Sequence, residues 1–365
     1  MQKARPDPKE GRVMSEEVYL RLREFMDGLP SGFPATENGV ELRILEKFFT
    51  PEEAEMVMHL TPLPEPVPAI AQRAGMEAAK AAEMLESIAS RGNIFRIRAG
   101  DQVLYMAMSF LPGIYEFHLK SMDRELAELF HAYAPYIARA WAELKIKPKR
   151  VIPVEAAVEA EKEVATYDRV REMVRGYTDI AVADCICRVE RGLLGRECER
   201  PLETCLVFGP FATAYYVENG IGRRISVKEC LEILDKAEEA ALVLYPSNSE
   251  DIINICCCCS CCCNELRALK MHERPADQVL STYMATIDPD LCTACGICLE
   301  RCQMEALIEG EECVEVNAAR CIGCGLCAST CPDDAVRMEL KTNAGGPPAN
   351  ILEMNRKMLK ERGLA

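Results

Sequence analysis

Residues 288–307 read DPDLCTACGICLERCQMEAL and residues 317–336 read NAARCIGCGLCASTCPDDAV, two stretches that repeat each other at a period of 29 residues. Each holds the pattern C-x2-C-x2-C-x3-C: Cys292, Cys295, Cys298 and Cys302 in the first, Cys321, Cys324, Cys327 and Cys331 in the second. Three cysteines at three-residue intervals let one looping segment wrap three corners of an iron–sulfur cubane. The fourth, expected at the start of a following helix, points away and completes the neighbouring cluster. The spacing therefore assigns Cys292, Cys295, Cys298 and Cys331 to one [4Fe–4S] cluster, and Cys321, Cys324, Cys327 and Cys302 to a second. Paired zinc quartets are the competing reading of C-x2-C; eight cysteines in one tandem repeat favour the cubanes.

The residues around the cysteines suit that reading. Gly296 and Gly325 are expected to bring backbone N–H groups close to the cluster sulfurs, with Ile297, Ile322 and Leu326 as apolar cover. Pro332 follows the last cysteine, as it does in bacterial-type two-cluster ferredoxins, which residues 285–340 resemble. The resemblance implies electron transfer. The first repeat departs from the pattern: Gln303 stands where proline is usual, which removes no ligand but changes the local turn and its solvent access. Cys313, between the repeats, has no partner in the pattern and reads as packing.

The chain has 21 cysteines, and none lies before Cys185. Such local equipment is read as metal or redox ligands, not as disulfides stapling a whole fold. Cys230 falls inside a helical pattern and is expected in the core. Two further groups remain. Cys185, Cys187, Cys198 and Cys205 lie close enough to fold round one tetrahedral metal or one cubane, with Arg188, Arg191, Arg196 and Arg200 nearby to favour thiolates. A third iron–sulfur cluster is favoured over zinc there. The run ICCCCSCCC adds Cys256, Cys257, Cys258, Cys259, Cys261, Cys262 and Cys263. Adjacent side chains diverge, so one cubane cannot take them all, and alternate pairs such as Cys257 with Cys259, or Cys261 with Cys263, are expected to share a face. The occupant is left open between a cubane sharing ligands with the first group, a larger iron cluster, redox-active thiols and metal storage.

Composition restricts the setting. At 365 residues the chain can build two or three cored domains. Its net charge of −15 disfavours nucleic acid and suits docking on a basic partner surface. No apolar stretch is long enough to span a bilayer, and Met1–Arg12 reads as neither signal peptide nor anchor. The expected address is the cytoplasm of an anaerobe, where thiolates survive. Met1–Val13 is expected to be unstructured, which makes Met14 an alternative start.

The first half alternates helix and strand signals. Val40, Ile44, Leu45 and Phe48 have helical spacing, and Thr50-Pro51-Glu52-Glu53 is a helix start. Residues 67–74 and 76–90 read as helices around a turn at Gly75, and 93–98 with 102–108 as a hairpin. This order resembles a winged-helix domain, which implies DNA binding through the second helix of the pair. That helix carries Glu77, Glu83 and Glu86 against Lys80, and only Arg91, Arg96 and Arg98 flank the hairpin. Phosphate would be repelled, so protein contact is favoured over DNA. Residues 113–147 read as helical with a break at Pro135, and Trp141 as core. Ile180–Val189 and Ala241–Tyr245 read as strands, Ser226–Ala240 as a capped helix, Asn343–Asn350 as a loop, and Ile351–Arg362 as a helix with an apolar stripe that packs on the chain's own body.

These readings give an α+β multidomain chain: an extension and helix over 1–30, a winged-helix-like domain over 31–112, a helical connector over 113–150, a cysteine-rich mixed α/β domain over 151–284, the two-cluster ferredoxin domain over 285–340 and a tail helix over 341–365. The phrases at 184–209, 255–263 and 30–55, together with the repeat, resemble a group of multi-cluster 4Fe–4S ferredoxin-type proteins of anaerobic bacteria and archaea. That resemblance implies electron transfer as a subunit or partner of a larger oxidoreductase, with a flavoprotein or metalloenzyme as redox partner, in an oligomer or larger complex. Two alternatives stand beside it. One is a reductase whose active site is the poly-cysteine run, and the other a redox-sensing winged-helix regulator. No glycine-rich dinucleotide fingerprint is present, and His59, His118, His131 and His272 form no ligand motif.

Overall fold

The computed structural model describes residues 8–158, 168–341 and 346–364, with side chains from residue 17 onward. Met1–Asp7 and part of the expected loop, residues 343–345, lie outside the described residues. The chain forms two compact units, Met1–Trp141 with Arg362–Ala365, and Ala142–Glu361. The sequence boundaries at 150/151, 284/285 and 340/341 thus fall within the second unit.

In the first unit, α1 (Pro8–Asp27), α2 (Val40–Phe48) and α3 (Pro51–Val57) precede a strand β1 (Glu65–Pro66), then α4 (Val67–Ala74), α5 (Ala78–Ser90), β2 (Phe95–Ala99) and β3 (Gln102–Met106). Over Pro8–Val13 the expectation of an unstructured stretch is corrected, because α1 starts at Pro8. Proline is tolerated in a first turn, where its missing N–H has no intrahelical partner, and the buried Val18, Tyr19, Leu22 and Met26 anchor the helix further along. Thr50 and Glu53 close a capping box on α3: the Glu53 N–H donates to Thr50 Oγ1 at 3.3 Å and the Thr50 N–H to Glu53 Oε2 at 2.9 Å. The three strands pair antiparallel in the order β1-β3-β2.

All three arginines that could have met a phosphate backbone are engaged internally. Arg96 and Arg98 bond Glu86 at 2.6 and 3.1 Å, Tyr105 Oη donates to the same carboxylate at 2.8 Å, and Arg91 pairs with Glu53. The connector forms a short α6 (Tyr115–Phe117) and a long α7 (Arg124–Glu143). The expected break at Pro135 does not occur. Buried Leu126, Phe130 and Tyr133 before it, and Ile137 and Trp141 after it, hold one face of α7 on the core and outweigh the local cost of proline. Trp141 is buried and donates to Ser31 O at 3.0 Å.

The second unit is built on a five-stranded, wholly antiparallel sheet in the order β6-β4-β5-β8-β7. Its elements run α8 (Val170–Arg175), β4 (Ile180–Asp184), α9 (Ile186–Leu193), β5 (Glu203–Phe208), α10 (Pro210–Glu218), β6 (Arg223–Ile225), α11 (Val227–Glu239), β7 (Val243–Pro246), β8 (Asn254–Cys258) and α12 (Asn264–Met271). The strand expected over Ile180–Val189 ends at Asp184. The register slips between Ala183 and Asp184, and the N–H groups of Arg188 and Val189 turn back to Cys185 O at 2.9 and 3.1 Å, which starts α9. Ser226 caps α11 as expected, accepting from the Glu229 N–H at 3.1 Å.

Two small antiparallel pairs follow. In one, β9 (Tyr283–Ile287) lies beside β12 (Val336–Leu340). In the other, β10 (Leu307–Ile308) lies beside β11 (Glu315–Val316), with α13 (Ile297–Arg301) ahead of β10. One continuous hydrophobic core runs from Leu206, Phe208 and Ile255 on the large sheet to Ile322, Leu326 and Met338 beside the repeats. The tail helix α14 (Ile351–Glu361) buries Met354 and Met358, and its Glu361 carboxylate accepts from the N–H groups of Lys145 and Ile146 at 2.5 and 2.9 Å.

Candidate metal centres

The sequence period reappears in the backbone. Ala294 and Gly323, Gly296 and Gly325, and Glu305 and Asp334 are pairs one period apart, with φ of 53° and 71°, 78° and 72°, and 54° and 49°. All six sit in the left-handed region, so the two cysteine loops share one trace. Gly323 is required by more than its dihedral: a Cβ there would lie 2.2 Å from Tyr283 O. At Gly325 a Cβ would lie 2.6 Å from Ala157 Cβ, whereas at Gly296 it would make only ordinary contact, 3.8 Å from Leu299 Cδ1.

The cysteines line two partly open pockets. Cys292, Cys295, Cys298 and Cys331 line one, with Gly296 and Pro332 in its wall. Cys302, Cys321, Cys324 and Cys327 line the other, with Gln303 and Gly325 in its wall. The fourth cysteine of each loop follows a helical turn and does not start one, correcting the sequence expectation: Cys302 ends α13, and Cys331 ends a single 3₁₀ turn at Ala328–Thr330. A short turn suffices to reverse the chain and aim the fourth thiol at the other cavity.

The donor set fits a cubane in each. Backbone N–H groups already point at the sulfurs, from Ala285 to Cys321 Sγ at 3.4 Å and from Ala306 to Cys302 Sγ at 3.2 Å. Burial pushes the Cys324 thiol up to about 12 and raises Cys298 and Cys327. Thiolates in such places need the positive charge of bound iron beside them. The two cavities differ in exposure. Cys295, Leu291 and Ile297 are exposed around the first, where Ile297 lines the pocket wall and its outer face meets solvent. Ile322, Leu326, Cys321 and Cys327 are buried around the second.

The remaining cysteines, all unbridged, are sorted differently from the sequence groups. Cys198 leaves Cys185, Cys187 and Cys205 and joins Cys259, Cys261 and Cys262, whose four Sγ atoms lie within 4.8 Å of one another. Cys185 and Cys187 instead meet the run through a row of thiol hydrogen bonds: Cys185 donates to Cys187, Cys187 to Cys263, and Cys258 to both Cys263 and Cys256. Cys205 lies opposite Cys256 in the sheet register, on the same face. The strand alternation that would put Cys257 with Cys259, or Cys261 with Cys263, on one face does not run past Cys258. There Cys262 N and Cys263 N fold back to Cys259 O at 3.3 and 3.0 Å. Cys257, on the opposite face of β8, is buried, as is Cys230 of α11.

Positive potential converges on this row of thiols. Cys185 and Cys263 are the N-cap residues of α9 and α12; the helix end favours a thiolate at Cys263, whereas donation to Cys187 and burial hold Cys185 well above its usual range. Lys149 Nζ donates to Cys256 Sγ at 3.0 Å. Hydrogen bonds from Cys258, together with Lys149, hold the Cys256 thiol well below its usual range. Hydrogen bonds from Cys187 and Cys258 bring Cys263 to about 5, and one from Cys262 brings Cys259 to about 4. Arg188 is buried against Cys185, Cys258 and Cys259, its Nη1 on Thr204 Oγ1 at 2.7 Å and Nη2 on Cys257 O at 3.0 Å. Arg200 Nη1 donates to Cys261 Sγ at 3.3 Å. Lys149 was missed in the sequence; its signal is the basic KIKPKR stretch at 145–150 in an otherwise acidic chain.

Gln303 was noticed only as a missing proline. It is buried, and its Oε1 accepts from both Ser260 N and Ser260 Oγ, at 2.9 and 3.0 Å, while its Nε2 donates to Ala241 O at 2.9 Å. The C-terminus of α11 is a shared anchor. Arg301 donates to Glu238 O and Glu239 O at 2.6 and 3.2 Å, Arg200 to Ala240 O at 3.1 Å, and Gln303 to Ala241 O. The carbonyls that a helix end leaves without partners thus fix both cysteine systems to one point.

Residues 285–308 and 314–337 each match the 4Fe-4S binding domain family. The chain matches no curated protein and no solved structure. Two matched repeats, each with its quartet pattern, mean that the chain carries two [4Fe–4S] clusters and that this part of it transfers electrons through them. Among the described residues no helix is long and apolar enough to cross a membrane.

Proposed function

We propose that the chain is an electron-relay subunit or partner of an oxidoreductase of anaerobic metabolism. In this reading Cys292, Cys295, Cys298 and Cys331 hold one ferredoxin cluster, and Cys321, Cys324, Cys327 and Cys302 the other. A further iron–sulfur centre is held by Cys185, Cys187, Cys258 and Cys263, with Cys205 and Cys256 beside it. When bound, the clusters supply one-electron capacity. The chain's own residues position the thiolates, exclude water and bring compensating charge through Lys149, Arg188 and the ends of α9 and α12.

The observation that carries the reading is the Gln303–Ser260 contact. It joins the residue after Cys302 to the middle of the poly-cysteine run, inside one buried core. The exposed rim of the first cavity, at Leu291, Cys295 and Ile297, suits docking of a flavoprotein or metalloenzyme. From there the order is first cluster, second cluster, middle centre. Burial of Cys257, Cys258, Cys262 and Cys263 favours a relay over a reductase that must admit substrate. For the first unit we keep a winged-helix-like protein-contact role in the cytoplasm, since Arg91, Arg96 and Arg98 are already paired with glutamates.

Potentiometric EPR of the anaerobically purified chain tests this. A signal beyond the ferredoxin pair, removed by Cys187→Ala and left intact by Cys331→Ala, is expected. Its absence from the wild-type chain would end the relay reading.

A further inference from the structure

The geometry points to a separate mononuclear metal site, in which Cys198, Cys259, Cys261 and Cys262 bind a single tetrahedral ion, zinc or iron. Cys198 Sγ lies 3.7 Å from Cys261 Sγ, Cys262 Sγ lies 3.8 Å from Cys261 Sγ, and all four sulfurs fall within 4.8 Å of one another. Four thiolates around one ion at a metal–sulfur distance of about 2.3 Å are separated by about 3.8 Å. A cubane places an iron at each of four corners and so spreads its thiolates wider. The ferredoxin loops provide the internal comparison. Among the described residues, neither of their quartets draws three thiols within 4.8 Å, and each quartet is spread around the wall of a pocket.

The local chain is built for such a site. The turn after β8 carries Cys259, Cys261 and Cys262 on one knuckle, closed by the bonds back to Cys259 O. Cys198 reaches it from the loop between α9 and β5, and Arg200 on that loop bonds both Cys261 Sγ and the end of α11. A divalent ion held by four thiolates carries a net charge of two minus, and its binding releases to solvent the protons that the thiols still hold. Arg200 offsets part of that charge. Cys259 and Cys262 are buried, while Cys261 is exposed, so the ion sits at the surface. The site goes beyond the relay, and it holds whether or not the row from Cys185 to Cys256 carries iron.

The test uses the full chain purified anaerobically. Metal analysis and zinc-edge X-ray absorption read a zinc ion; EPR after mild oxidation reads an isolated high-spin tetrathiolate iron. One ion per chain is expected, with four sulfur neighbours at about 2.3 Å and no metal neighbour. Cys198→Ser and Cys261→Ser should each remove it without lowering the acid-labile sulfide. The wild-type spectrum decides the matter even if a variant folds poorly. No such ion in the wild-type chain, or loss of iron and sulfide together in either variant, would overturn the assignment. If the single ion is present but the Cys187→Ala variant changes no EPR signal, the relay fails and this site stands.

Discussion

Gln303 accepts both hydrogen bonds that Ser260 can offer, one from the backbone and one from the hydroxyl, at 2.9 and 3.0 Å. The residue next to a ferredoxin cysteine is therefore locked to the only non-cysteine in the run Cys256–Cys263. One N–H of its amide donates to Ala241 O, so both ends of the buried side chain are engaged. A proline, which the bacterial ferredoxin pattern would place here, offers none of these contacts.

Gln303→Leu and Gln303→Pro should each destabilise the second unit by about 2–4 kcal/mol, since both leave buried partners unsatisfied. Iron in the ferredoxin module should stay, because no ligand is touched. Thermal unfolding together with iron analysis checks this. An unchanged Tm would show that the contact is incidental.

The proposed crossing of the fourth ligands makes a second prediction. Cys331→Ala should abolish the cluster of the first repeat, and Cys302→Ala that of the second, although each mutated residue belongs to the other repeat. EPR should separate the two, because the first cavity is exposed and the second buried, and exposure shifts cluster potential. Loss of each cluster within its own repeat would contradict the assignment.

Ala294 and Gly323 hold the same place in the two loops, yet they should respond differently. Gly323→Ala drives a Cβ to 2.2 Å from Tyr283 O and should cost about 2–4 kcal/mol or the second cluster. Ala294→Gly should change stability by less than about 1 kcal/mol, since alanine is already tolerated there. Denaturation of the two variants side by side is the check; equal costs would mean that the Tyr283 contact does not constrain the loop.

In the first unit, His118 is buried with its ring stacked on Phe48, its Nδ1 2.8 Å from Ser121 Oγ and its Nε2 2.8 Å from Asn93 Oδ1. Burial, and secondarily Arg91, bring its pKa down to about 4. The unfolded chain, near 6.5, takes up the proton first. The associated stability is complete above about pH 6.5 and is lost as pH falls through 4, for about 3 kcal/mol in all. His118→Gln should flatten this dependence between pH 7 and 4. Parallel pH profiles for variant and wild type would refute it.

What could be read from sequence was what depends on local chemistry. The helix start at Thr50, the Ser226 cap and the 29-residue repeat all survive, since each is set by residues close in the chain. The errors arise where tertiary contact decides. The stripe around Pro135 keeps α7 whole, and the slip at Ala183–Asp184 turns an apparent strand into the start of α9. Cys198 could not be assigned to Cys259, Cys261 and Cys262 by spacing, because the pairing depends on how β8 ends. Gln303 was visible only as a departure, and its partner Ser260 looked like a gap in the cysteine run.

The central claim is that the middle cysteines hold iron and sulfide in addition to the ferredoxin pair. Iron and acid-labile sulfide counted per chain, in anaerobically purified wild type and in the Cys187→Ala, Cys263→Ala double variant, test it most directly. Two ferredoxin clusters account for about eight irons. The account predicts about twelve or more in the wild type, with sulfide to match, falling to about eight in the double variant. About eight in both would contradict it.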